Sequence, residues 1–562
     1  MAVERGECYV GGVKADFMSR FGPLFFATAG TVIVLWQMLL PGYVLTWDMV
    51  FGPSHTFPMF SGFLNGAPLR FLIYGAGFLV PMWLVQKGIL IALFFSLFYL
   101  PIRFFPFQVE AWVRYAAAAL YAVNPFVYER FLAGQWGVLA AYALLAPFVY
   151  FLLELVRTPR VRTAATMALI MLLVGVFSLH AFVMTVLVAI VVVAIAILRD
   201  VRGALPLAKY ASLAACIVGI VSLYWVVPYV LNPGSSPLQV FTKEHWGAFE
   251  TSTDSLLGTS GNVLALYGFW GESYPWMQTL LSPKETPIVF FPALLTLLAL
   301  VMTSATTLLR ARETRTFALI LVGIGAAAFV FSVGLAPSFF HELNLWLFQH
   351  VPFWSGFRDT EKWSMWLALT YAYLFAAGAA FVVARVRSRA VPIVRLAFVL
   401  LPFVYTFTML GFAGQLKPVE YPASWYEVNA ILAEDSDCKA LFLPWHQYYP
   451  LAFNNDMLTA NPASRFFDCA IVSSKDAEIG EVGEQGSVDP SYRAIAEAVT
   501  SNDPQIIDFV LSVLRSEGVR YVIFTGDLLK NDHFTYPFLR HPELTPIYEK
   551  VVHDELIVLL KI

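Results

Sequence analysis

Between Asp16 and Glu110 the sequence holds one acidic residue, Asp48. It lies in the run Tyr43-Val44-Leu45-Thr46-Trp47-Asp48-Met49-Val50-Phe51-Gly52-Pro53. Apolar neighbours remove part of the water around such a carboxylate. That disfavours its charged form, raises its pKa and suits it to act as a general base. A helix cap or a salt bridge with a loop arginine is the plainer role. Other groups able to do chemistry also fall between apolar runs: His55, His180, His245, His341 and His350, with Arg70, Glu129, Arg130, Lys243, Glu272, Arg358, Asp359, Glu361 and Lys362. Glu244, His245, Glu250 and Asp254 stand close enough in sequence to supply contacts to an acceptor or a metal ion. Farther on, Pro444-Trp445-His446-Gln447-Tyr448-Tyr449 follows a strand-like run. A strand end can present Trp445 and His446 in a cleft, where an aromatic face stacks on a sugar ring; ordinary core packing is the alternative. No His-Glu-x-x-His, Walker or Gly-x-Gly-x-x-Gly motif points to another enzyme class.

The elements that must hold these residues are mostly membrane helices. Of 562 residues, 59% are hydrophobic and 13% charged, and the mean hydropathy is +0.67. Soluble domains are about one-quarter charged. Disorder, collagen and coiled coil are excluded by this composition, and four Cys are too few for a disulfide scaffold. The net charge of −3 gives no footprint for a nucleic-acid partner, but it averages two unlike parts. Residues 1–416 hold 25 Lys/Arg and 17 Asp/Glu; residues 417–562 hold 11 and 22. The first part reads as a polytopic α-helical membrane domain and the second as a soluble α/β domain. In the second, 440–443 and 521–524 read as buried strands. Residues 503–517 read as a helix stopped by Gly518, and 547–552 with 556–561 as a closing hairpin.

A spanning helix needs roughly 20 apolar residues. Such runs occupy 21–40, 83–101, 109–123, 136–156, 210–231, 287–309, 316–335, 363–384 and 392–412. The run 163–198 is too long for one span and breaks at Ser178-Leu179-His180, so it reads as two helices in a tight hairpin. That makes eleven spans. The run 69–80 is apolar but short, and reads as a re-entrant or interfacial piece of the first loop. Basic residues in short loops set orientation. Under eleven spans, Arg5, Lys14 and Arg20, then Arg103, Arg160, Arg202, Arg312 and Arg387 with their basic neighbours, all fall on one side. The chain is therefore expected in the cell membrane, with its N-terminus cytoplasmic and residues 417–562 extracytoplasmic. The N-terminal apolar run does not read as a cleavable signal. In an oxidising compartment, Cys438 and Cys469 are expected to pair, while Cys8 and Cys216 stay free. Ionisable residues avoid the span centres, which speaks against an ion-coupled transporter.

One Asp soon after the first span, in a long first outer loop, resembles the GT-C glycosyltransferases, multi-span membrane enzymes that use polyprenyl-phosphate sugars. The stretches Tyr121-Ala122-Val123-Asn124-Pro125-Phe126-Val127-Tyr128-Glu129-Arg130 and Pro352-Phe353-Trp354-Ser355-Gly356-Phe357-Arg358-Asp359 are similar to loops of bacterial and archaeal members such as the arabinofuranosyltransferase relatives. The resemblance implies inverting transfer from a polyprenyl-phosphate sugar donor to a glycan, glycolipid or protein acceptor at the outer face. It implies Asp48 as catalytic base, and Arg358, Lys362 and Arg130 as cations for the departing phosphate. Glu129, His55, His180, His341, Trp445 and His446 are further candidate substrate contacts. Headgroup snorkelling is the plainer role for the cations. The loop has one Asp and not the Asp-X-Asp of some metal-dependent members, which leaves a divalent cation open. Two other readings compete. A non-enzymatic flippase or assembly partner for surface polysaccharide would need a polar cavity inside the bundle. An O-antigen ligase or polymerase would lean on Arg and His and not on a first-loop Asp.

Overall fold

The computed structural model describes residues 12–54, 64–106, 108–231, 246–274, 281–310, 314–476, 489–501, 507–526, 536–552 and 555–562. Helix α1 (Gly12–Leu35) leads into the loop that carries Asp48; α2 (Ala67–Gly77) and α3 (Met82–Arg103) follow it. Then come α4 (Ala111–Ala122), α5 (Pro125–Leu132), α6 (Trp136–Ala143) and α7 (Leu145–Arg157). Next are α8 (Val161–Phe177), α9 (Leu179–Arg199), α10 (Ala204–Leu231) and the short α11 (Gly258–Leu264). The bundle closes with α12 (Pro287–Arg310), α13 (Arg315–Ser332), α14 (His341–His350), α15 (Ser364–Val383) and α16 (Val391–Tyr405).

The helix boundaries follow local chemistry. The Ser178 side chain accepts the Ala181 N–H at 3.3 Å, so the long run splits at a capped α9 packed against α8, as expected. Asn124 accepts the Val127 N–H at 3.1 Å and, with Pro125 at the first turn, starts α5. That start cuts α4 to 12 residues, about 18 Å at 1.5 Å per residue. Among the described residues, eight helices are long and apolar enough to cross a membrane: Met82–Arg103, Trp136–Arg157, Leu179–Arg199, Ala204–Leu231, Pro287–Arg310, Arg315–Ser332, Thr360–Val383 and Ser388–Tyr405. Phe21–Leu35 and Val161–Phe177 are apolar but shorter. Each of the eleven expected spans thus falls on a helix, of which α4 with 12 residues and α8 with 17 are shorter than a full span. The short apolar run 69–80 forms α2 of 11 residues, with Phe71, Leu72, Phe78 and Leu79 exposed. Helix α15 is buried along most of its length and packs on α12, α13 and α4. Gly378 lets α12 approach, since a Cβ there would overlap the Leu300 backbone.

The remaining chain is mixed. It holds the helices α17 (Ala423–Leu432), α18 (Ala463–Phe466), α19 (Pro490–Thr500) and α20 (Ile507–Ser516). Its strands are β1 (Lys439–Leu443), β2 (Tyr448–Leu451), β3 (Met457–Ala460), β4 (Ala470–Val472), β5 (Tyr521–Gly526), β6 (Thr545–Val552) and β7 (Glu555–Lys561). Five strands form one sheet in the order β4-β1-β5-β7-β6, with β1 parallel to β4 and β5 and the last two pairings antiparallel. Strand β1 is buried from Ala440 onward and β5 through Thr525, as expected for strands covered on both faces. Helix α20 stops at Gly518, whose φ of +73° only glycine adopts freely. The expected helix start at 503 lies outside the described residues. Cys438 and Cys469 are bonded, with Cα atoms 5.1 Å apart, and Cys216 is free. Cys8 lies outside the described residues. Strands β2 and β3 form a separate hairpin that leans on the first loop of the bundle.

Candidate active site

The loop after α1 is held by backbone bonds from three directions. Thr46 and Met49 exchange N–H···O bonds of 3.2 and 2.7 Å, which closes a tight turn around Asp48. The Asp48 N–H donates to Ala133 O at 3.2 Å, and the Thr46 hydroxyl to Leu132 O at 2.5 Å, tying the turn to the end of α5. The Trp47 N–H donates to Leu458 O at 3.2 Å, and the Ala460 N–H to Trp47 O at 2.9 Å, tying it to β3. Trp47 takes φ +26°, a costly backbone for a non-glycine residue. Its buried ring is wedged among Phe269, Trp270 and Tyr448. Gly134 (φ +74°) sits beneath the turn, where a Cβ would overlap Met49 N, Thr46 O and Asp48 N.

The Asp48 carboxyl opens onto a cavity but is hemmed in around its rim. The Tyr448 hydroxyl donates to its Oδ1 at 2.6 Å, and Gln135 Nε2 stands 3.5 Å from Oδ2. Asp48 is exposed to the cavity, yet the protein crowded around it desolvates the carboxyl enough to raise its pKa above the usual aspartate range; Tyr448, Gln135 and the Lys362 charge offset part of that rise. Gln135 is aimed by Arg130, whose Nη1 donates to Gln135 Oε1 at 2.8 Å.

Arg130 itself is fully buried. It forks onto Asp359 with contacts of 2.6 and 2.7 Å, bonds Glu361 through Nε at 3.0 Å and through Nη2, and lies over the Phe269 ring. Lys362 Nζ pairs with Asp359 at 3.2 Å. Burial alone would raise the Asp359 pKa, but Arg130 and Lys362 hold it well below the usual carboxylate range. Arg130 therefore has no free donor fork for a phosphate and acts as a support. Arg358 is half-buried over the Phe249 ring at 4.8 Å, and burial pushes its pKa down to about 10.

The other expected contacts divide. His180 bonds Gly356 O at 2.8 Å through Nε2 and packs on Phe357, so it braces the loop carrying Arg358. Glu129 is buried beside the Phe269 N–H at 3.4 Å. Burial, followed by the neighbouring Glu272 carboxylate, pushes its pKa far up. Glu272 in turn takes Lys284 at 2.8 Å and the Gly268 N–H at 2.6 Å. Glu129 thus belongs to a second polar cluster. The His341 Nδ1 bonds Leu335 O at 2.8 Å, a local turn contact. Trp445 is 2% exposed and packs on Tyr492 in the tail core, so its face is closed to a sugar. His446 is half-buried beside it. His55, Glu244 and His245 lie outside the described residues. Asp254 pairs with Lys284 at 3.1 Å and accepts two backbone N–H groups. Among the described residues no three His, Cys, Asp or Glu converge to hold a metal ion.

The cavity has a volume of about 350 Å³. Its lining includes the charged residues Asp48, Arg70 and Arg465 and the apolar residues Leu69, Ile73, Val176 and Phe177. Sequence reasoning missed Gln135, Tyr448 and Arg465. Tyr448 stood inside the quoted tail motif, three residues past Trp445, and the strand β2 turns it toward the bundle.

No protein-family model and no curated protein sequence matches the chain. Among solved structures it is similar to the cryo-EM structure of arabinofuranosyltransferase AftD from Mycobacteria, at TM-score 0.60 and 15% identity over 96% of this chain and 40% of that one. A single-residue variant of the same enzyme matches at TM-score 0.57 and 15% identity, over 96% and 41%. The chain spans about two-fifths of the length of that protein. Its helical bundle with a C-terminal sheet domain has the GT-C fold.

Proposed function

We propose that this multi-pass membrane protein is a glycosyltransferase that moves a sugar from a polyprenyl-phosphate donor to a glycan, glycolipid or protein acceptor. The observation that carries this reading is Asp48, raised in pKa and held by Tyr448 and Gln135 at a cavity lined by both charged and apolar side chains. Such a cavity suits a lipid with a charged head, and such a carboxylate suits proton removal at neutral pH. In the step, the acceptor O–H gives its proton to Asp48. The oxygen attacks the anomeric carbon as the bond from that carbon to the phosphate oxygen breaks. The electron pair leaves with the lipid phosphate, and the anomeric centre inverts. The Lys362 charge reaches Asp48 and favours the ionised carboxylate that this step needs. Arg130 is a positioning residue, acting through Gln135 and the 358–362 loop.

The basic-loop pattern supports a cytoplasmic N-terminus, with the domain 417–562 and this cavity on the extracytoplasmic side of the membrane domain 1–416. Cysteine labelling in intact cells at positions 160 and 473 tests that orientation. Label at 473 and not at 160 is expected; the reverse overturns it. The reaction is tested with Asp48→Asn, which keeps size and loses basicity. Transfer from a polyprenyl-phosphate sugar should fall about 10²–10⁴-fold, with folding and lipid binding retained. A wild-type rate would refute the assignment and favour a non-enzymatic carrier or scaffold.

A further inference from the structure

The cations expected to meet the departing phosphate are engaged elsewhere: Arg130 with two carboxylates, Lys362 with Asp359, Arg358 against Phe249. Two other arginines line the cavity that holds Asp48. Arg70 comes from α2 and Arg465 from α18 in the tail. They are close enough for each to feel the other's charge: burial first, and Arg465 second, hold Arg70 below the usual arginine range. Among the described residues neither makes an ion pair. The strongest charge neighbours of Asp48 are Lys362 and Asp359, so the arginine pair is not its counter-ion. Two half-buried guanidinium groups lining one cavity, neither of them ion-paired among the described residues, repel at a cost that a bound anion reduces.

Arg465 is placed, not stray. Its carbonyl accepts the Ser54 N–H at 3.1 Å, and it presses on Gly52, where a Cβ would overlap it. The Ser54 hydroxyl donates to Asp468 at 2.7 Å, and Asp468 precedes the bonded Cys469. The Arg465 guanidinium donates to the Tyr74 hydroxyl of α2, one turn from Arg70. The backbone bond to Ser54 and the bond to Tyr74 hold it at the cavity. Next to it stand the apolar walls from α2 and α8, the shape wanted by an anion attached to a hydrocarbon chain.

We propose that Arg70 and Arg465 seat the phosphate of the lipid-linked substrate opposite Asp48, with the C-terminal domain supplying the second cation. This rests on the glycosyl-transfer reading above. A guanidinium fork matches phosphate oxygens in pairs, so two forks hold the leaving group and leave the sugar between phosphate and base.

The test measures binding, with no turnover needed. The full chain in nanodiscs is titrated with undecaprenyl phosphate and read by native mass spectrometry. Phosphatidylglycerol and inorganic phosphate serve as competitors. Arg70→Gln and Arg465→Gln should each weaken binding about 10- to 100-fold, the loss of a charge-assisted contact. Arg70→Lys and Arg465→Lys should keep part of it. Asp48→Asn, which removes a negative charge from the cavity, should bind at least as tightly as wild type. Unchanged thermal unfolding midpoints, with the Lys variants as a second check, separate lost binding from lost folding. Wild-type affinity in both Gln variants overturns the site. Equal displacement by phosphatidylglycerol would make it a bulk-headgroup site, and displacement by inorganic phosphate at equal concentration a free-phosphate site; either overturns the assignment to the substrate lipid. Lost transfer in Asp48→Asn with intact binding in both Gln variants refutes the arginine pair alone. Intact transfer in Asp48→Asn with lost binding in the Gln variants refutes the glycosyl-transfer reading and leaves an anion site.

Discussion

Tyr448→Phe removes one oxygen and nothing else from the candidate site. In the wild type its hydroxyl donates to the Asp48 carboxylate at 2.6 Å. A hydrogen bond to a charged group contributes about 1.5–3 kcal/mol. The carboxyl also opens onto the cavity, where water can take the vacated position, so the lower end applies. At about 1.4 kcal/mol per pH unit, losing the bond raises the Asp48 pKa by about one unit. The direction adds to the desolvation that already raises it. A general base works deprotonated, so activity falls as pH drops through its pKa. The acid limb of the kcat/KM profile should therefore move to higher pH by about one unit in the variant. Loss of activity should be largest below the limb and small on the plateau. The assay is transfer of labelled sugar from polyprenyl-phosphate donors in proteoliposomes, run from acid to mildly alkaline pH. An acid limb that stays in place, or moves down, refutes the idea that Tyr448 tunes Asp48.

Gly134→Ala should be far more disruptive than its one methyl suggests. The residue needs φ +74°, and the methyl would meet three backbone atoms of the Asp48 turn. We expect a stability loss of about 2 kcal/mol or more and near-complete loss of transfer, read by thermal unfolding and the same assay. Replacing Cys438 and Cys469 together by Ser opens a closed loop with sequence separation 31, which should cost about 4 kcal/mol. Denaturant unfolding of the full chain, with and without reductant, should show the wild type shifting toward the variant on reduction.

How far these features could be read in the sequence depended on the distance over which each is decided. Asp48 was visible because composition isolates it: no other carboxylate stands near it in nearly a hundred residues. The split at Ser178 and the stop at Gly518 were visible for a similar reason, since caps act within one helical turn. Arg130 was visible as a cation, but its carboxylate partners lie 229 and 231 residues on, and only folding shows that they enclose it. The tail motif was visible as aromatic. Which member faces the bundle is decided by tertiary packing: Trp445, before the hairpin, packs on Tyr492 in the tail core, while Tyr448, the first residue of β2, reaches Asp48. Helix α4 read as a span because its composition is apolar; the Asn124-Pro125 start of α5 sets its length. The parallel pairing of β1 with both β4 and β5 joins segments that no local pattern links.

The bond between Asp48 and Tyr448 closes over 400 residues of chain. At ribosomal speeds of about 5–20 residues per second, roughly 20–80 s pass between synthesis of the two partners. Through that interval a nascent chain carries the base without the hydroxyl that aims it, without the β3 strand that holds Trp47, and without Arg465. On the glycosyl-transfer proposal, a translation arrest or a truncation before the β2–β3 hairpin should leave a helical bundle without transfer activity, read by the same assay. Synthesis of residues 417–460, which carry Tyr448 and β3, would thus act as a timer on the proposed chemistry of the first loop.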